Sequence, residues 1–299
     1  MKLNACISII SSRTKCLKRC LKSLYDFYNY RYNYPVHIYY FDDIYDSKEY
    51  QDDIHKNINN NIHFINVPYH TPKHIKEEEL YYNRKNIQYV RKKFSIERKG
   101  YLHMCHFMTN FYGYPNTKYE QYDFMMSHDD ESGYIKELPY DPFEVMNSRK
   151  EDMGALIIGK RLKNGKPHQG HLDTRIGLWD FTKNFLISNN IKPKSELLQN
   201  LLNDNNAEWN FHFLPWADSY VIKSKMFKTD LWKKWIFAVN ENGGIYKYRW
   251  GDNEIMSLFY LIYDNNLIYN LKTVEEGYHN QGLFRKIQNT APNIKNRRK

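Results

Sequence analysis

Cysteine is scarce in this 299-residue chain, with only Cys6, Cys16, Cys20 and Cys105, and none forms a C-x-x-C pair or a zinc-ligand spacing. That pattern argues against a disulfide framework or a zinc module, and it fits buried reduced thiols in a cytoplasmic protein. Glycine is absent from residues 1 to 30. No glycine-rich phosphate loop can therefore open the chain, which counts against a nucleotidyltransferase. No apolar run approaches bilayer-spanning length, and Ile7 to Ile10 suits a strand better than a signal peptide. The expectation is a soluble chain with neither signal peptide nor transmembrane segment.

Dense positive charge is missing too. The formal charge is +10, but the basic residues cluster only at Arg91–Lys93 with Arg98–Lys99 and in the tail Lys295–Lys299. A basic balance fits nucleic acid, an anionic membrane or a phosphorylated small substrate. Neither cluster carries a nucleic-acid motif, so nucleic acid is not the expected partner.

What the chain does have is aromatic and apolar patterning. Ala5 to Ile10 reads as a buried strand, and Ser11 to Thr14 as a turn with a helix cap. Leu17, Cys20, Leu21 and Leu24 then fall at helical spacing. His37 to Phe41 and Ile62 to Val67 read as further strands, each bounded by turn residues. A β-α-β beginning predicts a parallel sheet with right-handed crossovers. Further on, Met153 to Ile158, Tyr220 to Ile222 and Leu267 to Leu271 read as strands. Phe181 to Ile187, Ser195 to Leu202 and Asp230 to Ala238 read as helices, and in the run Tyr246 to Tyr263 the segment Trp250 to Glu254 stands at the entry to an apolar helix. There is no internal repeat, and no linker is long enough to separate independent domains.

The stretch Tyr122 to Glu131 stands apart. Phe124 to Met126 is a short apolar strand, and Asp129, Asp130 and Glu131 arrive where it would leave the sheet. Three adjacent carboxylates repel one another unless a cation or solvent relieves them. Ligands of open α/β sheets bind beyond the carboxyl ends of strands, so a divalent metal would be well placed there. Strand alternation would put Asp129 and Glu131 on one side, a D-x-E pair within reach of one ion. A solvated acidic turn is the alternative.

Two later features could join it: the Trp250-Gly-Asp252 turn, with Asp252 at a helix start, and His279 near the C-terminus. Alone, Asp252 could be a helix cap and His279 a packing residue. Their order, after a nucleotide-binding β-α-β half and an acidic strand end, is the layout of a GT-A glycosyltransferase. The motifs carry the likeness further. Arg31 to Pro35 followed by Asp42-Asp43, Tyr101 to His106 (Y-L-H-M-C-H), Tyr122 to Phe124, Gly243-Gly244 with Arg249 to Asp252, and Gly277 to His279 lie in sequence along nearly the whole chain. In this order they resemble the fungal α-1,2-mannosyltransferases of glycosyltransferase family 15.

The resemblance implies a mixed, mostly parallel α/β sheet flanked by helices, and hexose transfer from a nucleoside-diphosphate sugar to a glycan or glycoprotein, with retained configuration. The donor would be GDP-mannose by family behaviour, or a UDP-hexose. It implies one catalytic domain over residues 1–299. Residues 1–120 would form the nucleotide-binding half, 121–290 the metal, donor-sugar and acceptor half, and 291–299 a basic tail. Asp129 would stand at the family's metal-binding Glu and His279 at its metal-binding His. With Glu131 they would surround Mn²⁺ (or Mg²⁺), which accepts nitrogen and oxygen ligands.

Tyr101, Ser11, Arg13 and Asp130 would hold the donor, and Asp218, Tyr220 and Asp252 would line the sugar site. The chain departs from the family at three of these places. Asp129-Asp130 replaces E-P, His106 replaces an arginine, and Tyr220 stands where the family's N-F-E has its glutamate. That last change also fits a non-catalytic glycan- or nucleotide-binding protein on a transferase fold.

Overall fold

The computed structural model describes residues 3–69, 72–81, 99–156, 162–163, 166–167, 175–203, 219–264, 268–273 and 275–279. Its strands are β1 (Ala5–Ile10), β2 (Val36–Tyr40), β3 (Ile62–Asn66), β4 (Phe124–Ser127), β5 (Gly133–Tyr134) and β6 (Met153–Ala155). After them come β7 (Leu162–Lys163), β8 (Lys166–Pro167), β9 (Tyr220–Lys223), β10 (Tyr269–Asn270) and β11 (Tyr278–His279). The main helices are α1 (Thr14–Leu24), α2 (Lys48–Asn57), α3 (Lys99–Asn110), α4 (Pro142–Ser148), α5 (Leu178–Ser188) and α6 (Glu196–Asn203). The last three are α7 (Asp230–Asn242), α8 (Gly244–Tyr248) and α9 (Asp252–Tyr263).

Seven strands form the central sheet in the order β10-β6-β9-β4-β1-β2-β3. β1 pairs in parallel with β2 and β4, β2 with β3, and β6 with β10. β9 alone runs antiparallel, wedged between β4 and β6. Strand alternation divides the apolar side chains between two cores. Cys6, Met125 and Ile222 enter the core shared with α3, α7 and α9, whereas Ile7, Met126 and Val221 enter the core covered by α1 and α4. Being buried on both faces, the strands read as continuous apolar runs rather than alternating ones.

Local chemistry explains the element ends that matter for the site. α1 buries the predicted stripe of Leu17, Cys20, Leu21 and Leu24. It continues through a π-helical turn, Tyr25–Asn29, and the chain then reverses at left-handed Asn33 (φ 48°). The Asn29 amide holds that reversal by bonding both the N–H and the carbonyl of Tyr34. At the other end of the chain, Gly243 adopts φ 73° to close α7. Gly244 has no room for a side chain, because a Cβ there would lie 2.3 Å from the Trp250 ring.

Several expectations need amendment. β4 ends at Ser127, so the acids do not continue a strand: Asp129 to Ser132 form a turn closed by Ser132 N–H to Asp129 C=O at 3.0 Å. The alternation that would have put Asp129 and Glu131 on one side therefore does not operate. The late strand covers Tyr269–Asn270 among the described residues, whereas the apolar helix entered at Trp250 to Glu254 is present as α9. Asp218, the loops around Asn164 and Gly170, and the tail 291–299 lie outside the described residues.

Candidate active site

The carboxyl ends of β1 and β4 and the amino end of β9 meet at one edge of the sheet, with Ser8 beside Ser127 and Ser127 opposite Tyr220. Two polar clusters occupy that edge.

The first surrounds the acidic turn. Ser11 follows β1, and its N–H extends the sheet by donating to the Tyr39 carbonyl at 3.0 Å. Its hydroxyl donates to Asp130 Oδ2 at 2.6 Å, and the Tyr45 hydroxyl meets it at 2.7 Å. Asp130 is 1% exposed, a burial that carboxylates tolerate only when paired. Arg13 is its partner, donating from Nε and from Nη2 to the two carboxylate oxygens. The same guanidinium reaches Glu131 Oε2 at 2.9 Å and Asp129 Oδ1 at 3.9 Å. Burial pulls against the charged Arg13, but the hydrogen bond and charge of Asp130, with Glu131 and Asp129, outweigh it and raise the Arg13 pKa. One arginine thus gathers the triplet whose mutual repulsion the sequence displayed.

Asp129 is set by its own turn and by a bridge. Its Oδ1 accepts the Glu131 N–H at 2.9 Å, and its N–H donates to Ser219 Oγ at 3.2 Å. The Tyr278 hydroxyl donates to the same Ser219 oxygen at 2.6 Å. Tyr278 and His279 form β11, antiparallel to β5, with His279 opposite Gly133. Ser219 therefore ties the Asp129 turn to the strand that carries His279.

The second cluster begins one residue later. Tyr220 is buried, and its hydroxyl shares a hydrogen bond with Ser127; burial first, and the charge of Asp252 second, raise its pKa. Asp252 opens α9 two residues after the buried Trp250, whose indole N–H donates to the Ile176 carbonyl at 2.6 Å. Burial, then the charge of Glu254, push the Asp252 carboxyl up to about 6, although the Cys105 thiol hydrogen-bonds it. Glu254 itself lies 3.6 Å from the buried Arg175. Tyr101 borders this cluster, with the Arg249 guanidinium 4.5 Å over its ring. Arg249 is held there by a left-handed backbone (φ 60°) at the end of α8.

A divalent metal needs nitrogen or oxygen donors that the protein has not already spent. Among the described residues, no group of three or more His, Cys, Asp or Glu is gathered to hold an ion. Asp130 does not fit: it is buried, and both its oxygens serve Ser11 and Arg13. Glu131 is paired with Arg13, so the expected trio of Asp129, Glu131 and His279 is not assembled. Asp129 fits as a carboxylate with its side chain 23% exposed, although its Oδ1 also accepts the Glu131 N–H. So does His279, since burial lowers its pKa and leaves a neutral imidazole.

Of the expected site residues, the structure thus brings Ser11, Arg13, Asp129, Asp130 and Glu131 into one cluster and Tyr101, Tyr220 and Asp252 into the other. His279 joins through Tyr278 and Ser219. Sequence reasoning missed Tyr45, Cys105, Ser127, Ser219, Arg249 and Tyr278. Cys105, Arg249 and Tyr278 sit inside motifs already singled out, and that proximity was the available signal.

A mostly parallel sheet with polar side chains gathered at its carboxyl edge is the GT-A glycosyltransferase architecture. Solved structures share this fold. The mannosyltransferase Ktr4p from S. cerevisiae, in complex with GDP, matches with a TM-score of 0.69 at 20% identity, covering 93% of this chain and 71% of that one. Core-mannan synthase A from Aspergillus fumigatus, in a Mn/GDP form, matches with a TM-score of 0.66 at 19% identity, covering 87% of this chain and 70% of that one.

The chain belongs to the glycolipid 2-alpha-mannosyltransferase family, glycosyltransferase family 15, whose family model matches residues 1–291. It is 21% identical over 247 residues to the O-glycoside alpha-1,2-mannosyltransferase omh1 of Schizosaccharomyces pombe, a match covering 81% of this chain and 60% of omh1. It is 25% identical over 175 residues to the probable mannosyltransferase YUR1 of Saccharomyces cerevisiae, covering 54% of this chain and 38% of YUR1. The chain thus spans less than two thirds of the length of these relatives. Among the described residues, no helix is long and apolar enough to cross a membrane.

Proposed function

We propose that this chain transfers mannose from GDP-mannose to a hydroxyl of a glycan or glycoprotein acceptor, with Mn²⁺ as the cofactor. The observation that carries the reading is the Ser219-Tyr220 step. These adjacent residues fasten Asp129 on one side and face Asp252 on the other, so one sheet edge serves both diphosphate and sugar. The family, and relatives whose names include mannosyltransferase, supply the sugar. The GDP and Mn/GDP forms of the structural neighbours supply the base and the metal.

Asp129 and His279 would hold the ion, which acts as a Lewis acid on the leaving diphosphate. Ser11 and Arg13 shape the floor beneath the phosphates, with Asp130 and Glu131 fixing Arg13. Tyr220, kept protonated by burial, offers a hydroxyl to the sugar. Asp252, with a pKa near 6, is ionised at neutral pH and can accept the proton of the acceptor hydroxyl. Tyr101, pinned by Arg249, walls the sugar pocket.

A thermal-shift panel of UDP, GDP, CDP and ADP, each with and without Mn²⁺, tests the reading, because a ligand of the native state raises Tm. GDP stabilising only with Mn²⁺ is the expected result. A response to UDP instead would make the donor a UDP-hexose. No response to any nucleotide would favour the non-catalytic reading, for which Tyr220 in place of the family glutamate is the specific support.

A further inference from the structure

Cys105 is wholly buried on α3, one helical turn after Tyr101, and α3 packs against α9. Residues at i and i+4 share a helix face, so the Tyr101 hydroxyl reaches the Cys105 sulfur and donates to it. The Asp252 N–H at the start of α9 donates to the same sulfur. A thiol has a single proton, and with its sulfur receiving both of these donors that proton goes to the Asp252 carboxylate. The carboxylate also accepts its own N–H and that of Asn253, the free donors of the helix end. Tyr101 is held in turn by the Arg249 guanidinium, 4.5 Å over its ring.

Among the described residues, the titratable groups facing Asp252 are Glu254 on its own helix, Cys105 and Tyr101 from α3 and Tyr220 from β9, with the Arg249 charge beyond Tyr101. Glu254 repels the carboxylate, Tyr220 shares its hydroxyl with Ser127, and Tyr101 spends its own on Cys105. The thiol is the side-chain donor that remains, and its strength suits the task. An ammonium or guanidinium would bind the carboxylate more strongly and lower its basicity. A thiol is a weak donor, so it fixes the direction of the carboxylate and leaves it able to take a proton. Burial first, and the charge of Asp252 second, push the Cys105 thiol well above its ordinary pKa, so the donor is present throughout the neutral range.

We infer that Cys105 is the positioning residue of the proton acceptor, the middle of a relay from Tyr101 through Cys105 that aims the Asp252 carboxylate at the acceptor hydroxyl. The relay rests on the role given to Asp252 above.

Carboxyl-carbon NMR of Asp-labelled protein follows Asp252 directly, its resonance identified by its loss in Asp252→Asn. Cys105→Ala removes a donor to the charged form, so the Asp252 midpoint should rise from about 6 by roughly one pH unit. The acidic limb of kcat/KM for mannosyl transfer should move with it, a loss of roughly ten-fold near about pH 5.5 that fades by about pH 8. Cys105→Ser keeps a donor and should bring both close to wild type. Tyr101→Phe takes a donor from the sulfur without opening a large void, and should shift the midpoint the same way by less.

An Asp252 midpoint that stays in place in Cys105→Ala overturns the relay, and Tyr101→Phe decides the matter in the same way if the alanine variant does not fold. A kcat/KM loss of equal size at every pH also overturns it, since that is the mark of a packing defect. A midpoint that moves while the rate limb stays would instead overturn Asp252 as the proton acceptor, with its bond to Cys105 intact.

Discussion

The two carboxylate clusters at the sheet edge carry similar groups in opposite circumstances. Around the acidic turn, Asp130 is buried but doubly bonded by Ser11 and Arg13, and Glu131 shares the same guanidinium. Around α9, Asp252 is partly buried beside another acid, and its pKa rises to about 6. Pairing makes the first cluster a brace of the fold. The second is a charge kept in an unfavourable place, and unfavourable places are where reactive groups are tuned. Removing a charge should therefore destabilise the protein at one cluster and stabilise it at the other.

The strongest way to break this contrast is Asp252→Asn. If Asp252 accepts the acceptor proton, kcat should fall by roughly a hundred-fold or more, within the range for a lost general base. A variant that keeps most of its turnover would remove Asp252 from the chemistry. Arg13→Met comes next, because it strands Asp130 in the interior. Urea unfolding should show a loss of about 2–4 kcal/mol, moderated because Arg13 is half in solvent. A loss well under 1 kcal/mol would mean that solvent, not Arg13, compensates the triplet.

A subtler test returns to Asp252→Asn and reads stability instead of rate. The folded-state pKa is raised from 3.8 to about 6, so the folded chain holds that proton more tightly than the unfolded one. The stability this gives is fully present below pH 3.8 and is lost as pH rises through 6. At pH 7.5 the asparagine variant should thus be more stable than wild type by about 1–3 kcal/mol, the gap closing towards pH 4. A gap that stays constant with pH would show that the carboxyl is not perturbed. The smallest effect is expected for Tyr278→Phe, which removes the hydroxyl from Ser219 without opening a cavity. It should cost about 1 kcal/mol and weaken the Mn²⁺-dependent shift in Tm, if Ser219 aligns Asp129 with the His279 strand.

The sheet and its first helix were legible because their signals are local. Ala5 to Ile10 is apolar throughout, and the α1 stripe repeats at helical spacing, so each element declares itself within a dozen residues. Asp252 was legible through the motif around it. The acidic turn was misjudged in shape for the opposite reason. Its geometry is set by Arg13, 117 residues before Asp130, and by Ser219, 90 residues after Asp129. No periodicity reports a partner at that distance.

The antiparallel wedge of β9 has a consequence for the order in which the molecule can be assembled. A ribosome adds residues from the N-terminus, so β1 to β4 are available while β9 is still unmade. Until it arrives, β4 is a bare sheet edge of apolar residues, the kind of edge that recruits strands from other chains. Asp129 over the same interval lacks the hydroxyl that steadies it. Closing the edge and aligning the site are thus one late, long-range event, and long-range pairings are the slow ones. A nascent chain arrested before residue 219 should accordingly be sticky, and that defect should ease once Tyr220–Lys223 is made, whereas activity should wait for Asp252 and His279.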